Sequence, residues 1–450
     1  MAASPVGASR PELYSRFEHE APQWFHDAKL GIFVHWGPYS VPAWAEPSGE
    51  LGTIEPKEWF AHNPYAEWYA NTIRIEGSPA HEHQRTAFGG ADYYDFLDSW
   101  DAARFDPDDL VALFKRAGAR YLVPVTKHHD GVTLWDAPGD SDLSTVRRGP
   151  RRDLVAEWAE AARAAGVRFG AYYSGGLDWS RSELPPIEGV DATGGLARPS
   201  DPEYARYAFD QVIDLIDRYQ PEVLWGDIDW PDAGKPDGPF SLVAMFDHYY
   251  SRVPDGVVND RWGLTHWDFV TSEYQQGREH EQAAVWENCR GIGFSFGYNA
   301  REDESVYLDG PGVVRHFVDV VSRGGNLLLN VGPKADGTLP EIQRRTLDGL
   351  ADWNEVNGDA VFGSRVVDSA VASPSDEPWV RWTRTGDRVN AIVDAVGPVV
   401  LSIRPDAVDQ TSAELLGGGA LAVDAIDGGI GATIPQPAVA GPSVVSLRLR

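Results

Sequence analysis

The sequence predicts an α/β protein: an irregular (β/α)8-like TIM barrel followed by a small all-β sandwich. Three observations lead there. Eight short apolar runs recur between residues 30 and 331, and several end in a charged or aromatic residue. Segments with helical periodicity and clear cap residues separate many of them. Beyond about residue 360 the texture changes to short alternating runs divided by glycine and proline, the pattern of antiparallel sheets.

The expected strands are 30–35 (LGIFVH), 121–126 (YLVPVT), 167–173 (VRFGAYY), 223–226, 256–259, 269–271, 284–287 and 326–331 (NLLLNV). The longer ones are nearly continuous apolar runs, as strands buried on both faces require. A helix is expected over 106–118, where Asp106 can cap and Pro107 opens the first turn. Others follow over 153–166, from Asp201 to about Tyr219, and over 340–358. No helical pattern lies between 259 and 284, so the barrel should be irregular after its fifth strand. Residues 1–358 are expected to form the catalytic barrel. Residues 359–450 should form the sandwich, with strands at 380–382, 389–393, 399–403 and 444–449.

Charge and composition narrow the function. The net charge of −29 opposes binding to nucleic acid or an anionic membrane. A neutral substrate is compatible. The one cysteine, Cys289, allows no intrachain disulfide. The opening MAASPVGA lacks a basic region followed by an apolar one, and no long apolar run appears, so the expected location is cytoplasmic. Seventeen tryptophans are many for one chain; about half are expected in the core and the rest along a carbohydrate cleft.

The chemistry should sit where strands end, because the C-terminal rim of a parallel barrel carries its catalytic groups. Asp227 ends an apolar run in EVLWGDIDWP, with Trp225 before it and Trp230 after it. Tryptophan beside a carboxylate suits a sugar, which has an apolar C–H face and a ring carbon open to an oxygen nucleophile. His35 ends the first strand, and His128 and His129 end the second in KHHD. Adjacent strand residues face opposite ways, so the two seldom share a metal, and hydrogen bonding to sugar hydroxyls is the better reading. Tyr172 and the Glu67–Trp68 pair are further candidates. Hydrolysis with retention needs a second carboxyl group about 5–5.5 Å from the first, holding a proton. Glu273, Glu302 and Glu304 are available for that role, and spacing alone does not choose among them.

Six motifs, in order, resemble the retaining α-L-fucosidases of glycoside hydrolase family 29. They are WFHDAKLGIFVHWG (24–37), KHHD (127–130), YYSGGLDW (172–179), LWGD (224–227), RGIGFSFGY (290–298) and GGNLLLNVGP (324–333). The resemblance implies an exo-acting enzyme that releases terminal α-L-fucosyl residues from oligosaccharides or glycoconjugates by double displacement. It implies Asp227 as nucleophile and Glu302 as acid/base. It places His35, Glu67, Trp68, His128, His129, Tyr172 and Trp225 around the sugar and Arg290 near the catalytic pair. Gly226 and Asp229 depart from the familiar pattern. No cofactor and no metal are called for. A non-catalytic fucose-binding protein on the same barrel is the alternative, and a metal-dependent hydrolase using His35, His128 and Asp227 is the third reading. Linkage preference should depend on the loops 48–53, 77–90 and 184–199.

Overall fold

Eight parallel strands curl into a barrel in the computed structural model, which describes residues 10–139, 142–181, 183–189 and 198–450. They are β1 (Leu30–Val34), β2 (Tyr121–Lys127), β3 (Arg168–Ser174), β4 (Val223–Asp227), β5 (Val257–Val258), β6 (Val270–Glu273), β7 (Trp286–Gly291) and β8 (Asn326–Val331). Their order is β5-β4-β3-β2-β1-β8-β7-β6. The β5–β6 seam is closed by a single parallel bridge between Asn259 and Phe269. Beside it, Asp268 N donates to the Val258 carbonyl at 2.9 Å, and Val258 N donates to the Asp268 carboxylate at 2.8 Å. The expected irregularity after the fifth strand is this short, lightly stitched seam.

The seventh strand is shifted from the sequence expectation: it begins at Trp286, not at residue 284, and runs on to Gly291. Glu287 is therefore inside the barrel wall rather than at a strand end. Side chains alternate along the strands as the pleat dictates. Phe33, Val123, Val125, Tyr172, Trp225, Cys289 and Leu328 face the interior cluster. Ile32, Val34, Leu122, Phe169, Ala171, Leu224 and Leu329 face the helices.

The helices α1 (Pro107–Arg116), α2 (Leu154–Ala165), α3 (Pro202–Tyr219) and α6 (Glu341–Asn357) fall where the periodicity places them. Asp106, Asp153 and Asp201 each accept a backbone N–H of the first turn, satisfying donors that the helix itself leaves unpaired. Two further helices, α4 (Leu242–Arg252) and α5 (Gly310–Ser322), were not distinguished by sequence pattern. Among the described residues no helix is long and apolar enough to cross a membrane.

After α6 the chain forms a six-stranded antiparallel sheet and a three-stranded one. The first is built around Trp379–Thr385, Arg388–Asp394, Ser443–Leu449 and Val408–Leu415. Val389, Ala391, Leu401, Ile430, Val445 and Leu447 fill the space between the sheets. Trp379, Ile392 and Val444 join the helix-layer core of the barrel. Trp353 of α6 donates from Nε1 to the Pro442 carbonyl at 2.8 Å, and Arg381 pairs with Asp319 of α5. The sandwich thus braces the barrel's outer helices and contributes nothing to the cavity described below.

A buried ion pair fixes the ends of β2 and β3. Lys127 Nζ lies 2.9 Å from Asp178 Oδ2, and both side chains are wholly buried. The ammonium also sits over the rings of Tyr173, Tyr204 and Tyr207. Burial alone would depress the lysine pKa, but Asp178 and the tyrosines reverse that, so the lysine stays charged. Removing one partner strands the other in a medium that cannot solvate it. Lys127→Ala should therefore lower the unfolding free energy by about 3–5 kcal/mol, measured by urea denaturation.

Candidate active site

A cavity of about 410 Å3 opens at the C-terminal ends of the strands, and Asp227 lines it. The carboxylate is the last residue of β4. Its approach is shaped by Gly226, whose backbone N and O are both bonded at 2.9 Å by the side-chain amide of Asn259. A Cβ at position 226 would meet the ring of Trp262 at 2.4 Å. The departure from the family pattern at Gly226 is thus matched by a neighbouring tryptophan. Immediately beyond, Ile228 and Asp229 take φ of 57° and 74°, unusual for side chains other than glycine. This turn sends Asp229 away from Asp227, to pair with Arg198 and Lys235.

Two groups hold the Asp227 carboxylate. Tyr172 OH donates to Oδ2 at 2.8 Å. Arg261 Nη1 donates to Oδ1 at 3.1 Å. His129 Nε2 lies nearby, 3.7 Å from Oδ2. Burial alone would raise the pKa of Asp227, but Arg261 and the Tyr172 hydrogen bond outweigh it, and the net shift is downward. The group is an anion at neutral pH.

The same guanidinium reaches a second carboxylate. Arg261 Nη2 donates to Glu273 Oε2 at 2.8 Å, and Tyr65 OH donates to Glu273 Oε1 at 2.7 Å. Glu273 is the last residue of β6 and lines the cavity. One planar fork therefore brings two acids together from strands far apart in the chain. Arg261 itself was missed in the sequence; it lies in the irregular stretch after β5, and only its place two residues past Asn259 could have drawn attention to it.

Two placements correct the sequence reading. Glu302 does not line the cavity. Its Oε1 accepts the backbone N–H of Phe294 and Ser295, at 3.1 and 2.8 Å. Burial pushes its pKa up to about 8, and its two backbone bonds tie it to the 293–297 turn. Arg290 does not line the cavity either. On a pleated strand it faces opposite to Cys289, and its Nη2 bonds Glu50 Oε1 at 2.8 Å. Glu304 is surface-exposed and pairs with Arg345.

The remaining candidates converge on the cavity: His35, Glu67, Trp68, His128, His129, Tyr172 and Trp225. Asn330 Nδ2 donates to the Phe296 carbonyl at 2.6 Å, so its Oδ1 accepts from His35 Nδ1–H at 2.7 Å. That leaves His35 Nε2 as an acceptor. Ser174 donates to the Leu177 carbonyl, so its oxygen accepts from His129 Nδ1–H at 2.7 Å, and His129 Nε2 is likewise left with a lone pair. Burial holds the pKa of His35 down to about 3 and that of His129 to about 4, so both rings are neutral. His128 stacks on Tyr172 with centroids 5.6 Å apart. Among the described residues, the cavity histidines and Asp227 do not gather three ligand atoms around one point.

Glu67 accepts from the Gly297 N–H at 2.7 Å, and burial raises its pKa to about 7. It lies in a short 3-10 turn (Ala66–Trp68) with its side chain inward, not on an exposed helix face. Beneath the site, Trp225 Nε1 and Tyr121 OH both donate to Glu287, a carboxyl sealed in the barrel interior. Trp59, Trp68 and Trp225 line the cavity, whereas Trp36, Trp100, Trp135, Trp158, Trp230, Trp262 and Trp353 are packed in the core. The tryptophans serve the core more than the expected even split. Of the three specificity loops, 48–53 contributes Leu51, Gly52 and Thr53 to the rim. The 77–90 segment is not a loop but contains a helix, Pro79–Ala87, that lines a separate surface hollow, and much of 184–199 lies outside the described residues.

The alpha-L-fucosidase family model matches residues 6–359. An alpha-L-fucosidase of Dictyostelium discoideum is 31% identical over 88% of this chain and 83% of its own length. The human tissue alpha-L-fucosidase is 31% identical over 81% of this chain and 74% of its own. Among solved structures, a Thermotoga maritima alpha-fucosidase in complex with fucose superposes with a TM-score of 0.85. It is 41% identical, over 96% of this chain and 98% of that one. With a barrel rim that presents two acids across one arginine, and with relatives matched over most of their length, this chain belongs to the alpha-L-fucosidase family.

Proposed function

We propose that the protein is a retaining exo-α-L-fucosidase, removing terminal α-L-fucosyl residues from oligosaccharides or glycoconjugates, with Asp227 as nucleophile and Glu273 as acid/base. One observation carries the assignment of roles: Arg261 bonds both carboxylates where they line a single cavity. Glu273 replaces Glu302 in the second role because it lines the cavity and shares Arg261 with Asp227, as Glu302 does not.

The chemistry follows from those positions. Asp227, kept ionised by Arg261, attacks the anomeric carbon as the bond to the aglycone oxygen breaks. Glu273 delivers its proton to that departing oxygen. Water then enters, Glu273 takes its proton, and the resulting oxygen nucleophile breaks the ester to Asp227 with net retention. His35 and His129, held as Nε2 acceptors, receive sugar hydroxyls, and Glu67 adds a further acceptor. The cavity is closed below by the interior residues Phe33, Trp225 and Cys289, which supports binding of a chain end over an internal residue. Leu51, Gly52 and Thr53 at the rim stand where an aglycone would leave and are the part of the loop set that supports a role in linkage preference.

Asp227→Gly should cut turnover of an aryl α-L-fucoside by about 10^3-fold or more, with azide restoring part of it as fucosyl azide. Glu273→Ala should cost about 10^2–10^4-fold on glycosides with poor leaving groups and much less on an activated aryl fucoside. Glu302→Gln should retain turnover within about tenfold, because its amide oxygen can still accept both backbone N–H groups. The opposite ranking of Glu273 and Glu302 on poor leaving groups would reverse the assignment.

Arg261→Gln gives a pH test. Asp227 is depressed below its ordinary pKa chiefly by this arginine, against the upward push of burial. Without the cation its pKa rises, so the acid limb of kcat/KM should move to higher pH by about one unit or more. An unmoved acid limb in the pH–rate profile would refute the role given to Arg261.

A further inference from the structure

A second group of ionisable side chains lies outside the cavity, on the far side of the β5–β6 seam. His19 follows the N-terminal 3-10 turn (Glu12–Phe17), and His266 and Asp268 belong to the loop between β5 and β6. One ligand atom from each lies within 4.8 Å of the others. His266 Nε2 is 3.3 Å and His19 Nε2 3.5 Å from Asp268 Oδ1. Ligands at about 2.0–2.1 Å from a tetrahedral ion stand roughly 3.3–3.4 Å apart, so these spacings fit a shared ion.

Proton bookkeeping points the same way. His19 Nδ1 is 2.8 Å from the Phe17 carbonyl. That oxygen can only accept, so Nδ1 carries hydrogen and Nε2 is the nitrogen that faces Asp268. Bonding of the second ring nitrogen to a backbone carbonyl is the usual support for a metal-binding histidine. Tyr250 OH is 2.8 Å from both His266 Nε2 and Asp268 Oδ2, and its one proton can serve only one of them. Asp268 Oδ2 is also bonded by Val258 N. Its other oxygen, Oδ1, is on a side chain with no exposed surface and has no hydrogen-bond donor among the described residues. A buried carboxylate oxygen facing two imidazole nitrogens is a place that a bound cation would satisfy. His19, about a third exposed, leaves a path from solvent and room for water as a fourth ligand.

We propose that His19, His266 and Asp268 form a structural site for a zinc-class divalent cation. The ion would join the N-terminal segment to the loop that carries Arg261 at its start, across the weakest seam of the barrel. It takes no part in the fucosidase reaction proposed above, and the test does not depend on that reading.

The test is titration of the chelator-treated full chain with Co2+ and then Zn2+. One equivalent of Co2+ should bind with the visible ligand-field bands of a four-coordinate ion, and Zn2+ should displace it. His19→Ala, which removes an exposed side chain and leaves the core intact, should weaken binding by at least about a hundredfold. It should abolish the bands while leaving aryl-fucoside turnover of the metal-free protein unchanged. Asp268→Asn should also abolish the bands, with circular dichroism checking its fold. Failure to bind one equivalent at micromolar concentration, or binding that survives His19→Ala, would overturn the proposal.

Discussion

The site depends on one guanidinium. Arg261 is the group that keeps Asp227 ionised against the upward push of burial, and its second N–H reaches Glu273 in the same cavity. Its planar fork offers separate N–H groups to Asp227 and Glu273, a task that the point charge of lysine could not perform with the same geometry. It is itself held in place: Nε donates to Thr271 Oγ1 at 3.0 Å, and the ring of Trp225 lies 4.6 Å beneath. Thr271 in turn donates to Asp260 at 2.8 Å. The arginine, the two acids and their supports form a single polar network.

Around that network the protein spends burial to set protonation states. His35 and His129 are neutral because burial disfavours the charged ring, and each has one nitrogen committed to a fixed acceptor. Their remaining nitrogens are acceptors by default, suited to hydroxyl groups that must donate. Glu67 and Glu287 keep raised pKa values for the same reason, and Glu287 lies too deep to touch a ligand. The same physical force therefore yields two kinds of group: those whose free valence faces the cavity, and those whose hydrogen bonds are all internal.

Much of this was legible in the residues. Long apolar strands and capped helices identified the barrel because burial on both faces leaves a strong pattern. Asp227 stood out because a carboxylate directly after such a run has no structural reason to be there. Glu273 and Arg261 were harder. β5 has two residues and β6 four, too few for periodicity, and the loop between them has no helical rhythm. Glu302 was misplaced by counting along a loop, where distance in sequence does not determine direction in space; its burial against backbone amides could not be read from a run of acids. Arg290 was placed near the catalytic pair by resemblance alone; it sits on the part of β7 beyond its apolar letters, facing away from Cys289 and bonding Glu50.

The narrow closure between β5 and β6 has a consequence for how the molecule breathes. A barrel resists distortion only as well as its least-bonded joint, and here that joint is one bridge, held otherwise largely by side-chain bonds at Asp268, Asp260 and Thr271. Fluctuations that open the wall should begin there, at a free energy below that of global unfolding. The arginine that bonds both acids is anchored two residues from that joint, so the most compliant part of the scaffold also sets the separation of the two cavity carboxyl groups. Amide exchange near Val258 and Phe269 would then report on catalytic competence before any loss of overall structure.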